Sequence, residues 1–189
     1  GADSVRVGVG SGTICTTRIM TGCGVPQITA LFDAFRAGVE FGKPIIADGG
    51  TKNSGDIVKA LAAGGNAVVV GSQLAGALEA PGESFEKDGK KFKTYNASTS
   101  KTEKLKQYAK NSVDKKPDFV DYVEGMEAYV LFRGEVANIL AALEKGIRSG
   151  MSYCGSRSID ELHQKAQFMQ VTPVLISENA NRGVIPLFG

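Results

Sequence analysis

One cysteine stands in the sequence context best suited to covalent chemistry. Cys15 lies in residues 8–18, a glycine-rich run (Gly-Val-Gly-Ser-Gly-Thr-Ile-Cys-Thr-Thr-Arg) that directly follows a strand-like segment. A cysteine thiolate is a strong nucleophile and forms covalent intermediates with electrophilic substrates. The alternative is a small buried hydrophobic residue, but the loop context favours the nucleophile. Three threonines surround this cysteine: Thr13, Thr16 and Thr17.

Two further turns, residues 48–50 (Asp-Gly-Gly) and 71–72 (Gly-Ser), also follow strand-like runs. Glycine lets the backbone approach a phosphate closely, and the start of a following helix adds favourable partial charge. Taken singly, each turn is equally explained by tight chain reversal. Together with Thr13 after a third strand, they predict a phosphorylated ligand. Asp48 could accept hydrogen bonds from a ribose diol or cap the next helix.

Composition narrows the class of protein. The 189 residues are 42% hydrophobic and 22% charged, which predicts one domain with a packed core. A net charge of +2 without a basic block argues against nucleic acid as a partner. No apolar run approaches the roughly 18–20 residues that cross a bilayer. The three cysteines are widely spaced, which argues against a disulfide framework and favours the cytoplasm. The single histidine, His163, argues against a histidine metal site or a Ser-His-Asp triad.

The first half of the chain alternates strands and helices. Buried strands are predicted at 5–9, 43–47 and 67–70. Helices are predicted after Pro26, from an N-cap at Ser54, and over 72–78. Short apolar strands in a β-α-β-α-β order predict a parallel sheet covered by helices. Sites in such sheets and barrels lie at the carboxyl ends of the strands, where these glycine turns fall.

The second half has a different pattern. Residues 85–95 predict a hairpin that turns at Asp88-Gly89, and 130–132 a short strand. Residues 96–122 are polar and lysine-rich, which predicts a mobile flap. A helix is predicted from about 136 to 150, and a further helix capped by Ser158, with Glu161 three residues later.

The run at 8–18 strongly resembles the catalytic cysteine loop of the IMP dehydrogenase and GMP reductase family. Further matching segments follow in the family's order: 24–27 (Gly-Val-Pro-Gln), 46–50, 54–61, 71–76, 79–83 and 146–150. The likeness covers nearly the whole chain. It implies an α/β fold of the (β/α)8 TIM-barrel type and an enzyme that acts on purine nucleotides.

The resemblance also implies residue roles. Cys15 would attack C2 of the IMP purine ring, hydride would pass to NAD, and water would hydrolyse the covalent thioimidate to XMP, a step of guanine nucleotide synthesis. Thr17 matches a threonine that assists water activation, and Tyr108 matches the tyrosine of an Arg-Tyr pair on the family's flap. The positions implied to bind IMP are Thr13, Asp48, Gly49, Gly50, Gly71, Ser72, Tyr95, Ser98, Thr99 and Glu124.

Two other ligands are implied. The side facing the nicotinamide of NAD matches Arg6, Gly8 and Gly10. A potassium ion would be held by the carbonyl oxygens of Gly10, Gly12 and Cys15, since hard cations prefer oxygen ligands. In the family, the tail of a neighbouring subunit completes this cation site. Glu178 is the candidate here, within a homotetramer.

The length implies a segment of a larger enzyme. A full barrel takes about 250 residues, whereas this chain accounts for the last three βα units, the hairpin, the flap and the C-terminal helices. The N-terminal barrel half and any CBS domains lie outside it. We therefore expect exposed strand edges, an exposed apolar interior, and no activity from this segment alone.

Two alternatives to IMP dehydrogenase remain. The long flap and residues 123–125 (Val-Glu-Gly) favour the dehydrogenase. GMP reductase, which deaminates GMP with NADPH, shares the cysteine loop but needs no water-activating flap, and the flap arginine is replaced here by Gln107. Lys106 beside it could act as a base only with a depressed pKa. Substitutions over 96–108 also allow a nucleotide-binding homologue without turnover.

Overall fold

The structure, a computed structural model, describes residues 1–110 and 121–175. In chain order its elements are β1 (Val5–Val7), α1 (Thr17–Thr21), α2 (Gln27–Phe41), β2 (Ile45–Asp48), α3 (Ser54–Ala62), β3 (Ala67–Val69), α4 (Ser72–Ala75), β4 (Ser84–Lys87), β5 (Lys90–Asn96), α5 (Lys101–Lys110), β6 (Glu127–Leu131), α6 (Val136–Tyr153) and α7 (Ile159–Lys165). The chain is thus mixed α/β, as the sequence predicts.

The first three strands form a parallel sheet in the order β1-β2-β3. Val7 pairs with Ala47, and Ala47 pairs with Val68, so the carboxyl ends of the strands meet at one edge. Helices α2 and α3 cover one face of this sheet. Leu31 of α2 is fully buried there against Ile45 and Ala47, which alternate with residues of the opposite face. This core fixes the edge at which the glycine turns lie.

The other face of the parallel sheet is open among the described residues. β1 and β3 are its edge strands, and Val5 and Val69 are 44% and 38% exposed. The prediction that these two strands are buried is therefore wrong. Val5 is in register with Ile45 on the helix-covered face and is exposed because β1 is an edge strand, whereas Val69 is in register with Asp48 on the open face. Parallel sheets are usually covered on both faces. That this chain is part of a barrel stays a prediction.

Helix α6 packs across α3 at close range, and α7 closes the same core. Ile57 and Leu61 of α3 are buried together with Leu162 of α7. The approach of α6 depends on two glycines, because a Cβ at Gly146 would lie 2.2 Å from Ser54 Oγ and one at Gly150 would lie 2.7 Å from Val58. The carboxyl-terminal helices therefore support the helical layer behind the parallel sheet.

The remaining strands form an antiparallel sheet in the order β4-β5-β6. The predicted hairpin is confirmed, with Asp88 and Gly89 at positive φ in its turn. Phe85, Phe92 and Tyr129 pack on one face with ring centroids 5.2 to 5.9 Å apart. Strand alternation puts the side chains of residues 93 and 95 on the opposite face.

Several boundaries differ from the sequence predictions. Asn53 is the N-cap of α3 in place of Ser54, since its side chain accepts the N–H of Asp56 at 3.0 Å. α4 ends at Ala75 and α6 continues to Tyr153. Two helices were not predicted, α1 in the cysteine loop and α5 within the predicted flap.

In the part of the chain described, no helix is both long and apolar enough to span a membrane.

Candidate active site

The segment carrying Cys15 is held in an extended bridge to residues 124–126. Thr16 N–H donates to the Glu124 carbonyl at 2.9 Å, and Met126 N–H donates to the Ile14 carbonyl at 2.9 Å. Cys15 N–H also donates to the Gly12 carbonyl at 3.1 Å, which tightens the loop before the cysteine. These bonds join the first parallel strand's loop to the segment before β6. They place a partly buried thiol between the two.

Around the thiol, three side chains form a hydrogen-bonded chain. Cys15 Sγ lies 3.1 Å from Thr17 Oγ1, and Thr17 Oγ1 donates to Glu124 Oε2 at 2.6 Å. Because the Thr17 hydroxyl donates its hydrogen bond to the Glu124 carboxylate, its oxygen is free to accept a hydrogen bond from the Cys15 thiol. The nearby Tyr122 has a raised pKa, for which desolvation is the larger cause and a hydrogen bond to Glu124 the smaller one. The arrangement can carry a proton from the position of the sulfur to a carboxylate.

The cysteine loop contacts the turn at 71–72 through Thr13. Thr13 Oγ1 donates to Ser72 Oγ at 3.2 Å, so two hydroxyls lie together where two strands end. Tyr95 approaches the same turn, since a Cβ at Gly71 would lie 3.1 Å from the Tyr95 hydroxyl. Burial raises the pKa of Tyr95, so its phenol stays a hydrogen-bond donor. Hydroxyl donors around a glycine turn suit a phosphate.

A second contact joins the cysteine loop to the turn at 48–50. Ser11 Oγ donates to the Asp48 carbonyl at 2.8 Å, and Gly50 N–H donates to the Ser11 carbonyl at 2.9 Å. Gly49 must lack a side chain, because a Cβ there would lie 2.1 Å from Ser11 Oγ. The Asp48 carboxylate pairs with Arg6 Nε at 3.4 Å on the open face of the sheet. The loop thus spans both predicted phosphate turns.

Two side chains that hold this loop were not predicted as site residues. Gln27 Nε2 donates to the carbonyls of Val7 at 3.0 Å and Asp48 at 3.2 Å, tying the ends of β1 and β2 together. Arg18 donates to the carbonyls of Val9 at 3.1 Å and Val25 at 2.7 Å, tying the loop to the start of α2. Both residues occur in the matched motifs, but neither type nor spacing indicates these backbone contacts.

Ser98 and Thr99, which are predicted to bind IMP, lie in a segment beside residues 124–126. Ala97 N–H donates to the Met126 carbonyl at 3.0 Å, and a Cβ at Gly125 would lie 2.7 Å from Thr99 Oγ1. The carbonyl of Ser98 accepts from Gln107 at 3.3 Å. Ser98 and Thr99 are therefore brought to the segment that also bridges the cysteine loop.

A cleft of about 930 Å³ opens beside the turn at 71–72. Its lining includes Gly71, Tyr95 and Ser98 from the predicted site, and Glu103 and Lys106 of α5. Lys106 pairs with Glu103 at 2.8 Å, and this hydrogen bond raises the pKa of Lys106. The interpretation of Lys106 as a base is therefore not supported, since a base would need a lowered pKa.

One other predicted residue, Tyr108, is not brought to the thiol. Tyr108 lies on α5 with 44% of its surface exposed, and no hydrogen bond among the described residues links it to Cys15. Glu178, the candidate fourth potassium ligand, lies outside the described residues.

The residues proposed for NAD fit in part. The direction that a side chain would take at Gly8 is filled by the Asp48 carbonyl, 1.8 Å from a Cβ, and at Gly10 by the stem of Arg18 at 2.6 Å. These glycines are thus explained by packing within the protein. Arg6 has a side chain 70% exposed on the open face of the sheet, so it is the member of the set that could contact a cofactor.

The residues predicted to bind potassium offer ligand atoms of the kind that this ion prefers. Gly10, Gly12 and Cys15 offer carbonyl oxygens within one tight loop, which suits a hard cation. The Gly12 carbonyl already accepts the N–H of Cys15 and retains a second lone pair. Residues 1–110 and 121–175 contain no cluster of three or more His, Cys, Asp or Glu that could hold a metal ion.

The fold and the site define a mixed α/β protein with a cysteine and two glycine turns at the carboxyl ends of parallel strands. Residues 1–181 match the model of the IMP dehydrogenase / GMP reductase domain, so the chain belongs to this family. It is 46% identical over 188 residues to the inosine-5'-monophosphate dehydrogenase of Nitrosopumilus maritimus (strain SCM1), covering 98% of this chain and 40% of that protein. It is 50% identical over 176 residues to the enzyme of the same name from Streptococcus pyogenes, covering 91% and 35%.

A solved structure gives the same fold. A variant of GMP reductase from Trypanosoma brucei, in complex with guanosine 5'-monophosphate, superposes with a TM-score of 0.91 at 39% sequence identity. The match covers 98% of this chain and 37% of that one. The chain therefore spans well under half the length of these relatives.

Proposed function

We propose that this chain supplies the catalytic cysteine and the nucleotide-phosphate site of an enzyme that oxidises IMP to XMP. The observation that carries the proposal is the loop at 8–18. In it, the Cys15 sulfur lies 3.1 Å from the Thr17 hydroxyl, which donates to the Glu124 carboxylate. The loop also contacts both glycine turns through Ser11 and Thr13. The curated relatives named as inosine-5'-monophosphate dehydrogenases support the choice of reaction.

Cys15 acts as the nucleophile. Its thiol gives a proton to Thr17 as Thr17 passes its own to Glu124, and the sulfur bonds to C2 of the purine. When bound, NAD accepts the hydride that leaves C2. The sulfur is then held as a thioimidate to the base, and the oxidised base remains in the site.

The same three side chains serve hydrolysis. Once the sulfur is bonded to carbon, it no longer has a proton for Thr17, so the threonine oxygen can accept one from water. Glu124 releases the proton that it took in the first step to solvent, and its carboxylate then receives the threonine proton across the 2.6 Å hydrogen bond. Water adds to C2, the carbon–sulfur bond breaks, and the thiol of Cys15 is regenerated with XMP. A role for Tyr108 is proposed from the resemblance alone, since no hydrogen bond among the described residues links it to Cys15.

The groups proposed to contact the phosphate of the nucleotide supply much of its binding energy. Thr13, Ser72 and Tyr95 offer hydroxyl donors around Gly71, and the turn at 48–50 lies at the neighbouring strand end. The Asp48 carboxylate, which pairs with Arg6, is proposed to accept hydrogen bonds from the ribose diol. Holding the nucleotide by groups far from C2 orients the purine over the sulfur.

Further parts of the proposal concern assembly. The open face of the parallel sheet is proposed to pack against the other half of a (β/α)8 barrel, which the length of the relatives supports. A potassium ion on the loop carbonyls, completed by Glu178 of a neighbouring subunit in a homotetramer, follows from the resemblance. Measuring the intact mass and the oligomeric state of the expressed polypeptide tests both the missing half and the assembly.

The reaction is tested with the intact protein that contains this chain. IMP and NAD should yield NADH and XMP in equal amounts, with XMP identified by mass spectrometry. A protein that binds IMP without forming NADH would be a nucleotide-binding homologue without turnover.

GMP reductase is the second candidate, because a solved structure that matches this chain is of such an enzyme and the flap arginine is replaced by Gln107. It predicts consumption of NADPH with GMP and release of ammonia. Running both substrate pairs on the same preparation separates the two reactions.

A further inference from the structure

One buried lysine contacts the segment that follows the turn at 71–72 and takes no part in the proposed chemistry. Lys93 of β5 is 3% exposed. Its ammonium donates to the carbonyls of Ala77 at 2.9 Å and Leu78 at 3.1 Å, and also to that of Ala80. A buried charge needs compensation. Three carbonyl dipoles of one turn provide it here, and the described residues include no ion pair of Lys93.

The turn that holds this ammonium directly follows α4, the helix that begins at Ser72. Strand alternation places Lys93 and Tyr95 on the same face of β5. At the other end of α4, a Cβ at Gly71 would lie 3.1 Å from the Tyr95 hydroxyl. Lys93 therefore joins β5 to one end of the 71–80 segment, and Tyr95 approaches the other end of that segment.

A second set of bonds shows that this turn is fixed to β5 as a unit. Glu83 N–H donates to Thr94 Oγ1 at 2.9 Å, and Thr94 N–H donates to the Glu83 carbonyl at 2.9 Å. Those bonds lie further along the chain from Gly71. Between residue 83 and the turn at 71–72, the Lys93 ammonium is the side-chain group of β5 that hydrogen-bonds to this segment.

We propose that Lys93 is a positioning residue that sets the Tyr95 hydroxyl against the turn at 71–72, and so controls recognition of the nucleotide phosphate. The inference rests on the proposed function, because it assigns that turn to a phosphate. Without the ammonium, the three carbonyls lose their common donor and the segment after α4 loses this side-chain link to β5. The backbone bonds from Arg133 N–H to the Gly76 carbonyl and from Leu78 N–H to the Gly134 carbonyl remain, so a small shift of α4 against β5 is expected. The loss should fall on the phosphate and spare the base and ribose.

The test compares IMP with inosine, which differ only by the phosphate, in the intact protein. Equilibrium affinities are measured by calorimetry for the parent and for Lys93→Met, which keeps an unbranched side chain without the charge. The ratio of IMP to inosine affinity should fall about tenfold, as expected for the loss of a hydrogen bond to a charged group. Inosine affinity should stay within about twofold. Lys90→Met, on the same strand and exposed, should leave the ratio unchanged.

A double-mutant cycle adds a readout that a general loss of stability would not move. Tyr95→Phe should lower IMP affinity less in the Lys93→Met protein than in the parent, because its hydroxyl is already misplaced. An unchanged ratio, or equal losses for IMP and inosine, would overturn the role of Lys93. If Lys93→Met does not fold, Lys93→Gln, which retains a donor for two carbonyls, is judged by the same ratio. A parent that shows no preference for IMP over inosine overturns the phosphate site and this inference together.

Discussion

The hydroxyl of Thr17 and the carboxylate of Glu124 are 107 residues apart in the chain and 2.6 Å apart in the structure. The contact is possible because the segment before β6 bridges the cysteine loop through backbone hydrogen bonds on both sides of Cys15. In the proposed mechanism, this contact gives the cysteine a proton path that does not involve the predicted flap.

Glu124→Gln should remove the end of this path while preserving its geometry, since the amide oxygen still accepts from Thr17. Turnover should fall about 100-fold, within the usual contribution of general base catalysis. IMP affinity should change little. Steady-state kinetics with IMP and NAD measure both quantities.

Thr17→Val should give a similar loss, and the double variant should lose little more, because residues of one path act as a unit. Glu127→Gln is the matched control, since that carboxylate accepts the N–H of Thr102 and does not contact Thr17. Full activity in Glu124→Gln would contradict the assignment.

Cys15→Ala should abolish turnover, because no other group takes the place of the sulfur. Nucleotide affinity should stay within about an order of magnitude, since the phosphate and ribose contacts come from other residues. Cys23→Ala, at an exposed cysteine, should retain activity. Mass spectrometry of protein trapped with IMP and NAD should detect an adduct in the parent and none in Cys15→Ala. Retained turnover would refute the nucleophile.

The sequence predicts the strands, helices and turns around Cys15 well, because hydrophobic periodicity and turn-forming glycines determine local structure. The three parallel strands, the hairpin at Asp88-Gly89 and the cap at Ser158 are confirmed, the last with Glu161 N–H donating to Ser158 Oγ at 3.1 Å. Helix α5 was missed because its stability comes from good helix formers rather than from an apolar stripe; it has no buried residue.

The long-range contacts could not be predicted in the same way. Nothing in the spacing of Glu124 places its carboxylate on Thr17, since that depends on how the second sheet bridges the cysteine loop. The exposure of β1 and β3 likewise depends on what flanks the sheet edges and covers the open face, which apolar content alone does not reveal. Lys93 belongs to a run of lysines in the hairpin, and its burial distinguishes it only in the structure.

Ser72→Glu should block IMP binding. The hydroxyl of Ser72 accepts from Thr13 at the proposed phosphate position, so a carboxylate there would meet the phosphate charge. IMP affinity should fall about 100-fold or more, because juxtaposed like charges are strongly unfavourable. Inosine affinity should fall much less, and Ser152→Glu on α6 should change neither. An unchanged IMP affinity would count against the phosphate site.

Gln73→Met should stabilise the protein. Gln73 is 2% exposed, and neither its amide nitrogen nor its amide oxygen has a hydrogen-bond partner among the described residues. An unsatisfied buried polar group costs about 1–3 kcal/mol, so a methionine of similar shape should raise the free energy of unfolding by about 1 kcal/mol or more. Urea unfolding measures the change, with Gln164→Met at an exposed position as control. A loss of stability would show that Gln73 has a partner in the intact protein.

The pH dependence of stability should report the cap of α7. Hydrogen bonds from the Lys165 ammonium and, after it, from the Arg157 N–H lower the pKa of Glu161 in the folded state. A carboxyl whose pKa is lower folded than unfolded stabilises the fold above its unfolded pKa, and this contribution disappears as the pH falls through the folded value. Glu161→Gln should therefore be less stable than the parent at neutral pH, and the difference should shrink toward zero in acid. Urea unfolding across that range checks the trend, with Asp160→Asn in the same helical turn as control. A difference that stays constant with pH would show that the carboxylate charge does not contribute.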